Sequence, residues 1–217
     1  MTPEPAHSHG ESPMLTRRSL LIATLPLAAA PVPGWLRPAR AQSPAQATQF
    51  IDQTAKQLIA IIDAGGPAQQ KRAQLQQIID RDVAVEEVAR FCLGRHWRDA
   101  TPQQQKDYVQ LFHRVLLNSI AGHLGDYKGI TYTMGRAMPG DGGVQVPTVL
   151  NRPGQPSANL TWLVSNDGGS PKIVDLIAEG TSLRLTQRSD YDSYLNRNGG
   201  RVQALLDAMK RQASQSG

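Results

Sequence analysis

A chain of 217 residues in which 40% are apolar carries enough material for a real core. Its single cysteine excludes an internal disulfide. The formal net charge of +5 is modest and scattered, with no run of Lys and Arg interleaved with aromatics, so nucleic acid is excluded as the expected partner.

Residues 1–41 read as an export signal. Arg17 and Arg18 precede the apolar run Leu20 to Ala30, and Ala39-Arg40-Ala41 supplies small residues before Gln42. That run is far short of the ~20 residues needed to cross a bilayer. Thr16-Arg17-Arg18-Ser19-Leu20-Leu21-Ile22 is similar to a twin-arginine signal, with general secretory export as the alternative. Either route delivers residues 42–217 to the bacterial periplasm as a single domain. Removing 41 residues leaves 176, and the four arginines and two glutamates that go with them lower the charge to +3.

Apolar residues at Phe50, Ile51, Leu58, Ile59 and Ile62 predict an amphipathic helix over 45–64, ended by Gly65-Gly66. A second helix is expected from Ala68 to Ile79. Asp82 reads as the N-cap of a third, which Gly94 ends. Thr101-Pro102-Gln103-Gln104 is a capping-box start. The helix it opens runs to about Leu124 and buries Tyr108, Leu111, Phe112, Val115, Leu116 and Ile120.

The period then changes to two. Ile130, Tyr132 and Met134 mark one strand, and Val144 to Leu150 a second, interrupted by Pro147. Leu160, Trp162 and Val164 alternate on a third, although Leu163 breaks the pattern. Ile173 to Ala178 makes the fourth, and short turns between strands predict an antiparallel meander. Two helices close the chain, over 190–196 and 201–211, separated by Gly199-Gly200. The expected fold is α+β: a four-stranded, mainly antiparallel and mainly one-sided sheet packed against several helices, with a hydrophobic pocket between them.

No catalytic motif is legible. His96, His113 and His123 lack the spacing of metal ligands, so no metal is expected. Gly180-Thr181-Ser182-Leu183 lacks the second glycine of a nucleophile elbow, and Ser182 reads as a turn or cap residue. Asp190 and Asp192 read as helix-start acids rather than an acid–base pair. Cys92, between Phe91 and Leu93, reads as a core residue. Asp175 lies in an apolar strand and has two readings: a general base in a hydrophobic cone, as in small α+β isomerases, or a charge paired with an arginine.

Leu93-Gly94-Arg95-His96-Trp97-Arg98-Asp99-Ala100-Thr101-Pro102-Gln103-Gln104 resembles the "LGxxWxxATPEQ" stretch of the MlaC, or toluene-tolerance, family. Val174-Asp175-Leu176-Ile177-Ala178-Glu179-Gly180-Thr181-Ser182-Leu183 is similar to that family's "YDVxxEGVSL", with Val174 in place of the aromatic. The tail Tyr191-x-x-Tyr194-Leu195 and Gly199-Gly200 also fits. The resemblance implies a soluble periplasmic carrier of phospholipid, or of a hopanoid-like lipid in one branch, with no catalysis and no cofactor beyond the bound lipid. The partners it implies are an inner-membrane MCE-domain protein of an ABC transporter and an outer-membrane lipoprotein complex. Carrying acyl chains through water costs about 0.8 kcal/mol per CH₂, so a carrier needs a dry pocket. Its expected walls are Val146, Leu160, Trp162, Val164, Val174 and Leu176 on the sheet, and Phe112, Leu116 and Ile120 on the helix opposite. Arg95 and Arg98 are the expected contacts for a head group or a partner.

Overall fold

In the computed structural model, residues 43–165 and 169–215 are described; the expected export signal over 1–41 lies outside them. Helix α1 spans Pro44–Asp63. The Ser43 hydroxyl accepts from the Gln46 N–H at 3.2 Å while the Gln46 side chain accepts from the Ser43 N–H at 3.1 Å, a reciprocal cap with Pro44 at the first helical position. Helix α2 spans Ala68–Asp82 and α3 spans Val85–Leu93. Gly94 ends α3 at a φ of 59°, a left-handed conformation that glycine adopts without strain. Helix α4, Pro102–His123, starts on the expected cap: Thr101 accepts from the Gln104 N–H and Gln104 accepts from the Thr101 N–H.

Asp82 is not an N-cap. It is the last residue of α2 and is 3% exposed, its carboxylate accepting from the Thr54 hydroxyl at 2.8 Å and from Arg81 Nε and Nη2 at 2.7 and 2.8 Å. Ala84 stands at the N-cap of α3 without a side-chain bond. A partner 28 residues away, Thr54, outcompetes the local helix end for this carboxylate.

The sheet has six strands rather than four: β1 Thr131–Met134, β2 Met138–Gly140, β3 Gly143–Asn151, β4 Ala158–Ser165, β5 Lys172–Ala178 and β6 Thr181–Ser182. The order is β1-β3-β4-β5-β6 with β2 also beside β3, and every pairing is antiparallel. The two extra strands are three and two residues long. Pro147 explains the divided edge. Strand β1 pairs with β3 up to Thr148 and β2 resumes at Gln145, so the gap falls opposite the residue that has no N–H. At the β2–β3 turn a Cβ on Gly143 would lie 2.2 Å from the Val164 carbonyl oxygen, so only glycine fits.

Helix α5, Leu183–Arg197, begins seven residues before the expected start, and α6 follows at Val202–Gln215. Ser182 caps α5 by accepting from the Leu185 N–H at 3.1 Å. Asp190 and Asp192 therefore sit inside this helix, not at its start.

The core forms three groups. One, around Tyr108, Leu195, Leu206 and Met209, is built by α3 to α6. A second gathers Ile61 and Ile62 of α1, Leu75, Ile78 and Ile79 of α2, and Leu117 of α4. The third packs Ala47 and Ile51 of α1 on Val144, Val146, Val164 and Ile173 of the sheet. The α2–α3 junction is tied to the start of β5. The Ala84 N–H donates to the Ile173 carbonyl at 3.0 Å, Val83 bridges Ile173, and Lys172 Nζ donates to the Arg81 carbonyl.

Candidate functional site

Strand register decides which side chains share a face. Val146 lies opposite Trp162, which lies opposite Leu176; Thr148 lies opposite Leu160, which lies opposite Ala178. With alternation, Val144, Val146, Thr148 and Leu150 of β3 and Leu160, Trp162 and Val164 of β4 form one surface. Strand β5 carries a bulge. Leu163 pairs with Asp175 but Val164 pairs with Ile173, so Val174 is the extra residue and Ile173 shares the face of Leu176.

This face is unevenly covered. Val144, Val146, Val164 and Ile173 are at most 7% exposed beneath α1. Towards the β3–β4 hairpin, Leu150, Leu160, Leu176 and Ala178 are half-buried and belong to none of the three packed groups. Trp162 spans the boundary: half-buried, it packs against the group beneath α1. Two buried polar atoms on this face meet no protein partner, Thr148 Oγ1 and Trp162 Nε1. Sequence reasoning passes over Thr148. Its signal is the alternation Val144-Val146-Thr148-Leu150, which Pro147 obscures.

The predicted wall residues therefore separate. The structure brings Val146, Leu160, Trp162, Val164 and Leu176 onto one surface, with Val174 buried at the bulge. Phe112 and Leu116 pack into the helical group of α3 to α6, and Leu116 also touches the group of α1 and α2. Ile120 is 36% exposed and faces out. Helix α4 packs on α6, α3 and α2, so helix α1, not α4, lies opposite the sheet.

Arg95 and Arg98 lie elsewhere. Arg95 donates to Asn196 Oδ1 at 2.7 Å and pairs with Asp192 Oδ1 at 3.1 Å, an oxygen that also meets Nε2 of buried His96 at 3.1 Å. The His96 hydrogen bond, then the charge of Arg95, holds the Asp192 carboxyl below its ordinary range. Asp192 is nine residues along α5 from Leu183, about 14 Å from the sheet end of that helix at 1.5 Å per residue. Arg95 also borders a cleft of about 370 Å³ with Leu185 and Arg188, and a cleft of about 470 Å³ lies between α5 and α6 beside Tyr194 and Met209. Neither is lined by the sheet face.

Asp175 joins strand to helix. Its Oδ2 accepts from the Ser182 hydroxyl at 2.6 Å, its Oδ1 accepts from the Arg184 N–H at 3.1 Å, and Arg184 Nε lies 3.5 Å away. A carboxylate at the first turn of α5 also complements that helix's dipole. Of the two sequence readings, pairing with an arginine describes its surroundings. Asp175 and Leu163 are buried on the second sheet face, where α5 and α3 approach β5, so this corner is covered on both sides. Cys92 donates to the Arg184 carbonyl at 3.5 Å, and burial, then the nearby Asp175 charge, pushes its thiol up to about 12, which keeps it un-ionised and inert. Among the described residues no three His, Cys, Asp or Glu gather to hold a metal, and no helix is long and apolar enough to cross a membrane.

The family model for the MlaC protein matches residues 39–211. The chain belongs to the MlaC family. Among solved structures, it is similar to a phospholipid-binding protein from Ralstonia solanacearum, determined in complex with a phospholipid. The TM-score is 0.68 at 21% identity, over 78% of this chain and 98% of that one. At that identity the likeness establishes the fold: MlaC-family α+β architecture with an antiparallel sheet on helices.

Proposed function

We propose that this MlaC-family protein is a periplasmic phospholipid carrier, a binding protein rather than an enzyme. It receives lipid at one membrane and delivers it at the other, between an outer-membrane lipoprotein complex and an inner-membrane MCE-domain protein of an ABC transporter. The observation that carries this reading is the sheet face, whose apolar surface runs out from beneath α1 without being closed by the core. Half-buried Leu150, Leu160, Trp162 and Leu176 offer a surface that acyl chains complete, at about 25 cal/mol per Å² removed from water. Family membership and the phospholipid held by the Ralstonia protein support the ligand class. The apolar tails lie along β3, β4 and β5, and the polar head stays at the mouth.

Native mass spectrometry of the exported protein, followed by lipid extraction, tests the reading. One phospholipid per chain is the expected result. Protein that neither co-purifies with phospholipid nor takes it up from vesicles rules the carrier out.

A further inference from the structure

Five buried side-chain polar atoms among the described residues lack a hydrogen-bond partner in the protein, and three lie on β3, on β4 or at the end of β3: Thr148 Oγ1, Trp162 Nε1 and Arg152 Nε. The other two, on His96 and Arg184, belong to side chains already in ion pairs. An unmet buried polar atom is destabilising, so such a concentration on and beside two adjacent strands calls for a reason. Thr148 is 7% exposed, and its alternation with Val146 and Leu150 points it onto the apolar face. Trp162 is its diagonal neighbour on that face, about 7–8 Å away between backbones. Arg152 follows β3 at the hairpin, and its guanidinium lies 5.8 Å from the ring of Tyr127, which packs against the helical group of α1, α2 and α4. It thus spans from the sheet end to the helical layer, at the mouth of the half-open face.

The chemistry of the three groups narrows what they receive. An indole N–H only donates, a guanidinium only donates, and a threonine hydroxyl donates or accepts. The matching ligand carries acceptors in a fixed order, neutral ones among its tails and a negative one at its outer end. A glycerol diester of fatty acids with a phosphate has that order, whereas a polycyclic hydrocarbon offers acceptors to none of the three. We propose, resting on the carrier reading, that Thr148 and Trp162 hold the ester carbonyls of a diacyl glycerophospholipid and that Arg152 meets its phosphate. The head group then leaves by the β3–β4 hairpin, not beside Arg95 at the far part of α5.

Competitive loading read by native mass spectrometry tests this with diacyl phosphatidylglycerol and its dialkyl-ether analogue, which keeps tails and phosphate but lacks the carbonyls. The exported protein is expected to favour the diester about tenfold, the size of about 1.4 kcal/mol. Thr148→Val/Trp162→Phe is expected to remove that preference. Lipid-free, this variant should melt no lower than the parent, because it loses two unmet polar atoms. Arg152→Gln should weaken both phospholipids about tenfold and leave diacylglycerol unchanged, with Arg152→Lys restoring part of the loss. A parent indifferent to the ester, a preference that survives the double variant, or a variant that melts several degrees lower and weakens both lipids equally overturns the ester assignment and leaves the carrier standing. Equal loss of all three lipids in Arg152→Gln overturns the phosphate assignment. If the parent takes up none of them, the carrier reading fails as well.

Discussion

The helical group and the sheet face use the same apolar residue types in opposite ways. Around Tyr108 the side chains of α3 to α6 close on one another: Leu195, Leu206 and Met209 are at most 1% exposed, and the Tyr108 hydroxyl finds the Ala89 carbonyl at 3.0 Å. On the sheet, closure stops part-way. Beneath α1 the face is packed; beyond it Leu150, Leu160 and Leu176 are half-buried, and between the two parts the polar atoms of Thr148 and Trp162 go unmet. A protein that only needed stability would have finished the second region as it finished the first. On the proposed function, the unfinished part is the surface left for the lipid.

Four measurements sharpen or break that contrast. Leu206→Ala, in the closed group, should cost about 2–5 kcal/mol in urea unfolding. Lipid loading of the protein that remains folded should be unchanged; a selective loss of loading would mean that the helical group is also part of the site. Leu160→Ala should cost only about 1–2 kcal/mol, because its side chain is half-buried, yet it should lower phospholipid retention measurably. A full core penalty with normal retention would erase the distinction. Tyr132 tests how α1 is held over the sheet, since its hydroxyl donates to Asp52 Oδ1 at 2.7 Å. Burial, then that hydrogen bond, pushes the phenol up to about 12, so its contribution is complete below pH 10 and is lost as pH rises from 10 to 12. Tyr132→Phe should cost about 0.5–1.5 kcal/mol at neutral pH and flatten the melting temperature across that alkaline window; an unchanged slope would assign the loss to another group. Ile120→Glu should fall within about 0.5 kcal/mol of the parent with normal loading, since this residue lies on the outer side of α4.

What could be read from the sequence follows from how local each cause is. The start of α4 was legible because its cap is written within four residues, Thr101 to Gln104. The start of α5 was not: Leu183-Arg-Leu-Thr-Gln-Arg has no helical stripe, and its cap depends on Ser182 together with Asp175, seven residues earlier on β5. Strands β2 and β6 are too short to show a period, and Leu163 looked like an error of alternation because the bulge at Val174 and the cover over the second face were invisible. The sheet half of the candidate site was legible because alternation and register agree on Val146, Leu160, Trp162, Val164 and Leu176. Its helical half was not, because periodicity shows that Phe112, Leu116 and Ile120 share a helix but not which layer faces them. Arg95 and Arg98 stand beside a motif in the sequence, whereas Arg152 stands alone in a turn.

The tie between Ala84 and Ile173 fixes one end of the sheet to the helices, and the β3–β4 hairpin lies at the other. Length added at that hairpin leaves the anchored end where it is. Two more residues on each strand would extend the wall by about 7 Å without disturbing a helix. On the proposed binding mode the hairpin is therefore a ruler for the head-group end of the lipid, and relatives that differ there should differ in the head group they accept.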